Sequence, residues 1–166
     1  GAGRDGGKGR SVQVAWGGDL AKRGGVAEGK FLRILAGDEA PAYKNGSGRL
    51  ELAESVVDPE NPLTSRVLVN RVWQWHFGQA LVRTPSNFGK LGETPTHPQL
   101  LDWLARELME DGWSLKRLHR RIMLSATWRM SSSHDETKFA KDGDNRLIWR
   151  MNPRKLNVEA WRDSLL

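Results

Sequence analysis

The sequence predicts a mainly α-helical fold of about five to six helices, preceded by a small irregular or β-containing N-terminal segment. Three observations predict it. From residue 47 onward, capping residues precede runs whose apolar positions recur every three or four residues. Gly78 and Gly112 stand where such runs should end. Residues 1–46 are glycine-rich and carry no such run. At 166 residues with 38% hydrophobic content and eight Trp, the chain can bury one domain-sized core. The organisation expected is therefore a partly irregular segment 1–46 with one or two short strands, then a helical domain 47–166. The chain starts without Met and stops on the apolar run SLL, which reads as a fragment of a longer protein, truncated at its C-terminal end.

Element by element, residues 1–10 read as a flexible lead-in. SVQVAW (11–16) alternates weakly, as a short strand does. GGDLAKRGGVAEG (17–29) reads as a glycine-punctuated loop. KFLRILAG (30–37) is an apolar run that fits a strand or a single helical turn. RLELAESVVD (49–58) reads as a short helix with Ser47 as its cap. Asn61 and Pro62 suit an N-cap and a first helical position, and predict a helix over 62–77 stopped by Gly78. Residues 79–95, with Pro85, Gly89, Gly92 and Pro95, form a loop long enough to suggest function. Thr96 and Gln99 frame a capping box around Pro98, and the helix should stop at Gly112. Ser114 caps a further helix through about 128, with Trp113 and Leu118 placed as a hydrophobic staple. Residues 131–144 are a polar linker with room for one helical turn. Asp144 is placed to cap a helix over 145–151, and Asn157 opens a last one.

Composition excludes several chemistries. There is no Cys, so this segment holds no disulfide, Cys-ligated zinc, iron–sulfur cluster, Cys nucleophile or C-x-x-C-H haem attachment. No stretch approaches a membrane span, and the start GAGRDGGKGR is no signal peptide. Residues 1–60 carry nine basic and nine acidic side chains, so the net charge of +6 lies in 61–166. A basic half of this size fits either an ordinary soluble surface or contact with a polyanion.

The helix around NRVWQWHFG (70–78) is the first candidate site. At helical spacing Leu68, Val69, Val72, Trp73, Trp75 and His76 share one apolar arc, where large aromatics normally pack. Arg66, Asn70 and Gln74 form a polar stripe at i, i+4 and i+8, with Arg71 beside it. Left to solvent, the stripe is an ordinary polar face. Covered by the 79–95 loop, its groups need partners, and they would staple the loop or line a pocket. The ligand-binding candidates are thus Arg66, Asn70, Arg71, Gln74 and His76, with Arg83 from the loop.

The helix SLKRLHRRIML is the second candidate. Leu115, Leu118, Ile122 and Ala126 share one face, and Lys116, Arg117, Arg120 and Arg121 occupy the other. These four are the candidate polyanion contact. The competing partners are Asp102, Glu107, Glu110 and Asp111 of the helix before. That face has no interleaved aromatics, which argues against stacking on bases, so nucleic acid is the less expected polyanion.

Metal and catalytic signals are weak. His76, His97, His119 and His134 show no i+3 or i+4 pairing, and no metal site is expected. His97 reads as a local hydrogen-bonding group and His119 as a residue at the core boundary. No serine sits in G-x-S-x-G. No carboxylate pair stands out among Glu93, Asp102, Glu107 and Glu110, and there is no P-loop. Whether the chain is an enzyme stays open at this point.

Three strings together carry a resemblance. They are SGRLELAESVVDPENPLTSRVLVNRVWQWHFGQALVRTPSNFG, GETPTHPQLLDWLARELMEDGWSLKRLHRRIMLSATWRMSS and DNRLIWRMNPRKLNVEAWRDSLL. Over about 47–166 the chain resembles domain of unknown function 1553, a planctomycete-type domain of large exported proteins. The positions nearest the family pattern include Arg66, Asn70–Trp73, His76–Gly78, Arg83–Pro85, Thr96–Pro98 and Asn145–Met151. The family often has His where this chain has Trp75, which weakens a paired-His ligand there.

The resemblance implies an exported or periplasmic setting and other domains of the same parent protein as partners. It implies no cofactor in this segment, with haem in an upstream cytochrome c domain. Glycan contact through polysaccharide degradation is a looser implication. The family carries no catalytic residue to transfer. The function expected first is a helical module serving ligand or partner binding, or domain packing. The alternatives are a non-autonomous part of a polysaccharide-acting hydrolase, or a polyanion or nucleic-acid binder through helix 114–128.

Overall fold

The computed structural model describes residues 12–19, 21–38 and 40–166. The lead-in 1–10, and Ser11 of the first expected strand, lie outside the described residues. Contacts divide the chain into two units, residues 1–61 and 62–166.

The first unit opens with a two-stranded antiparallel sheet, β1 (Val12–Ala15) against β2 (Arg23–Ala27). β2 corrects the reading of 17–29 as loop. Its sequence RGGVA hides strand character behind two glycines. A Cβ on Gly24 would stand 2.7 Å from the indole nitrogen of the exposed Trp16 and 3.3 Å from the Val14 carbonyl oxygen. The apolar run 30–37 resolves as one helical turn, α1 (Arg33–Ala36). α2 (Arg49–Val57) is capped by Gly48 in the left-handed region, not by Ser47. The Glu51 carboxylate accepts from the backbone N–H groups of Lys44 and Asn45, which fixes the chain entering α2. The Asn61 amide donates to the carbonyls of Ser55 and Val56 at the end of α2.

The second unit is helical. α3 (Thr64–Phe77) starts two residues later than expected, with Leu63 as its N-cap and no side-chain capping bond. Gly78 ends it in the left-handed conformation (φ 77°), its N–H on the Gln74 carbonyl. α4 (Pro98–Glu110) has Pro98 in its first turn, as expected, but His97 is the cap and the Thr96–Gln99 box does not form. The Thr96 hydroxyl instead donates to the Leu81 carbonyl, and the Thr96 N–H bonds the same oxygen, closing the base of the 79–95 loop. α5 (Leu115–Met123) is capped by Ser114, whose hydroxyl accepts from the Arg117 N–H. It stops well short of 128. The Ser125 hydroxyl donates to the Ile122 carbonyl and accepts from the Trp128 N–H, offering the backbone a turn in place of another helical turn.

Two short helices follow. α6 (Glu136–Lys141) is the expected turn in the polar linker, capped by Asp135. α7 (Val158–Asp163) is capped by Asn157 as expected. Residues 145–151 are not helical, which corrects the sequence reading. Asn145 and Ile148 hold positive φ (52° and 55°). Asp142, not Asp144, caps this segment, accepting from the N–H groups of Arg146 and Leu147. The buried Asn145 folds it on itself, donating to the Arg150 carbonyl and accepting from the Trp149 N–H.

The chain is thus mainly helical, with seven helices among the described residues because α1 and α6 add to the longer ones. The core of the second unit joins Val69, Val72, Trp73 and Phe77 of α3, Leu81 and Val82 of the loop, Leu101, Leu104, Ala105 and Leu108 of α4, and Leu118 and Ile122 of α5. Each large side chain buried this way contributes about 1.5–3 kcal/mol. Trp113 packs on the same cluster. Trp75 and Leu115 do not join it. Trp75 is 62% exposed at the edge of the apolar arc, and Leu115 lies at the open first turn of its helix.

Candidate functional site

The polar stripe of α3 divides into separate contacts. Asn70 is fully buried. Its amide donates to the Val82 carbonyl at 3.0 Å and its oxygen accepts from the Val82 N–H at 2.8 Å. The side chain replaces a strand partner for a loop residue whose backbone would otherwise be buried unpaired. Arg66 pairs with Asp102 of α4 at 2.6 Å and donates to the Pro62 carbonyl. Gln74 is half-buried and Arg71 is exposed. Arg83 donates to the Asp144 carbonyl at 2.6 Å. A cavity of about 240 Å³ in the first unit, walled by Phe31, Leu35, Tyr43 and Asp58 among others, includes none of these residues. A space of about 10 Å³, room for one water, includes Arg83 alone of them.

The loop they support is ordered by its own polar groups. The Thr84 hydroxyl donates to the Asn87 carbonyl and accepts from the Glu93 N–H. The Asn87 side chain accepts from the Gly89 N–H. Gly92 lies so close to the Asn87 carbonyl that a Cβ there would stand 2.1 Å from its oxygen.

The basic face of α5 also divides. Arg121 pairs with Glu107 and Asp111 and lies 5.6 Å over the Trp103 ring. Arg117 pairs with Asp111 at 3.0 Å. Hydrogen bonds from Arg121 and then Arg117 hold the Asp111 carboxyl below the usual carboxylate range. Lys116 and Arg120 are exposed and enter no ion pair among the described residues.

Sequence spacing does not reveal a contact between His76 of α3 and His119 of α5. The His76 Nε2 and His119 Nδ1 lie 2.7 Å apart. Trp128 meets the His76 ring edge-on, at 5.0 Å between centroids. Burial, then His119, then Arg154 hold His76 below the ordinary imidazole value. The two histidines are 43 residues apart, so no i+3 or i+4 pattern exists to find. The available signal is that His76 falls within the apolar arc of its helix and His119 at the boundary of its own. His97 is local, its Nδ1 on the Thr96 hydroxyl. Among the described residues no group of three or more His, Asp or Glu could hold a metal ion.

The end of α3 is closed by side chains from residues 152–154. Arg154 donates to the Trp75 and His76 carbonyls, and Asn152 to the Phe77 carbonyl. With Gly78 on Gln74, all four terminal carbonyls of the helix are paired. A guanidinium here also favours the negative end of the helix dipole. Beyond Arg154 the chain loses this hold. α7 buries no residue, and Leu156, Val158, Trp161 and Leu165 are 62%, 76%, 57% and 68% exposed. Among the described residues no helix is long and apolar enough to cross a membrane.

Compared with protein-family models, residues 48–166 match PSD1, a protein of unknown function (DUF1553). The comparison with curated proteins found no match, and neither did the comparison with solved structures.

Proposed function

This chain belongs to the DUF1553 family of proteins of unknown function, and from that premise we propose that it is a helical module for domain packing and partner binding. Its setting would be a larger exported protein with an upstream cytochrome c domain, and its partner another domain of that same protein. One observation carries the reading. Val158 and Trp161 stand one turn apart on α7, Leu165 continues the spacing, and all three are exposed. A six-residue helix is too short to hold itself in water. Its Asn157 cap supplies about 1 kcal/mol, which does not offset the cost of nucleating a helix that buries nothing. A cap, an apolar side and an exposed Trp suit a helix that gains its stability against another surface.

The test places Trp161→Ser in the longer protein and in the 166-residue chain. The longer protein should lose stability or protease resistance, and the shorter chain should not. A longer protein indifferent to the change contradicts the reading.

A further inference from the structure

The His76 and His119 ring nitrogens that face each other at 2.7 Å need one N–H and one lone pair between them. In the neutral pair one ring donates and the other accepts. A first added proton goes to a nitrogen pointing away from the contact and leaves the N–H···N bond in place, now charge-assisted. A second proton turns both facing nitrogens into donors. Two N–H groups then meet head-on, with two positive rings 5.0 Å apart between centroids.

The surroundings oppose that second proton. From the segment before α7, Arg154 acts on His76 with the same sign, while Trp128, after α5, brings an uncharged ring edge. Among the described residues, the charged or titratable groups that act on His76 are His119 and Arg154, and both disfavour a proton there. The same facts argue against a metal site: two imidazoles are too few ligands, and Arg154 repels a cation.

We infer that the His76–His119 contact is an acid-opened latch, which ties α3 to α5 while the pair carries at most one proton and releases them when it takes a second. The inference stands apart from the packing role of α7 and does not depend on it. The direction of the pH effect follows from proton binding. A histidine held below its ordinary value of 6.5 binds fewer protons folded than unfolded. Its stabilising effect is full above that value and is lost as pH falls below it.

The test compares wild type with the double variant His76→Gln/His119→Asn, whose amides can keep a neutral hydrogen bond between the same positions. Urea midpoints of the 166-residue chain are followed from about pH 8 to about pH 5, the range in which histidine titrates. Wild type should lose stability below the ordinary histidine value, and the variant should lose less in that window. Equal losses overturn the latch. A second readout uses the ¹⁵N-labelled wild type: a scalar coupling across the hydrogen bond between His76 Nε2 and His119 Nδ1. It should be present at neutral pH and vanish on acidification. A coupling that is absent at neutral pH, or persists in acid, contradicts the inference.

Discussion

α3 and α7 are opposite cases of helix formation in one chain. α7 has the better local start, an Asn157 side chain on the Ala160 N–H, yet buries nothing. α3 has no side-chain cap, yet buries Ser65, Val69, Asn70, Val72, Trp73 and Phe77. Its far end is closed by Gly78, Asn152 and Arg154. Capping sets where a helix begins, and burial sets whether it persists. The chain is therefore expected to be rigid around α3 and loose beyond Arg154.

The largest break in this comparison comes at Asn70. Asn70→Ala leaves both the N–H and the carbonyl of Val82 unpaired in the core. At about 1–3 kcal/mol for each of the two unsatisfied groups, the loss should be roughly 2–6 kcal/mol. The urea midpoint should fall with an unchanged slope. A loss below about 1 kcal/mol would mean that the loop does not depend on this staple. Next comes Gly92→Ala. The new methyl would stand 2.1 Å from the Asn87 carbonyl oxygen, a backbone atom that must shift to admit it. Overpacking of this kind costs about 1–3 kcal/mol, read in the same titration. The smallest effect is expected at the other pole. Trp161→Ser in the 166-residue chain should change stability by no more than about 0.5 kcal/mol, because the ring is largely exposed.

The same contrast explains what could be read in advance. The helical class, the stops at Gly78 and Gly112, and the Ser114 and Asn157 caps were legible, because each depends on a few adjacent residues. The polar stripe through Asn70 was visible as a pattern. Its outcome was not, since only the fold brings Val82 to it. Segment 145–151 looked helical by composition. It is not, because Asn145 and Ile148 adopt positive φ and Asn145 supplies the hydrogen bonds a helix would have made. The charge on α5 was legible to within its partners: Arg117 and Arg121 engage Glu107 of α4 and Asp111 at its C-cap, two of the four carboxylates expected to compete. The histidine contact could not be seen in spacing, as it joins residues 43 apart on two different helices.

The most direct test of the packing role is amide hydrogen exchange, followed in the 166-residue chain and in a longer protein that carries it. In the short chain, the amides of 69–73 should exchange only through global unfolding, and those of 160–163 should exchange near the rate of an open helix. In the longer protein the α7 amides should become strongly protected while those of α3 stay as they were. Equal exchange of α7 in both would contradict the account, since α7 would then gain nothing from the surface it is proposed to meet.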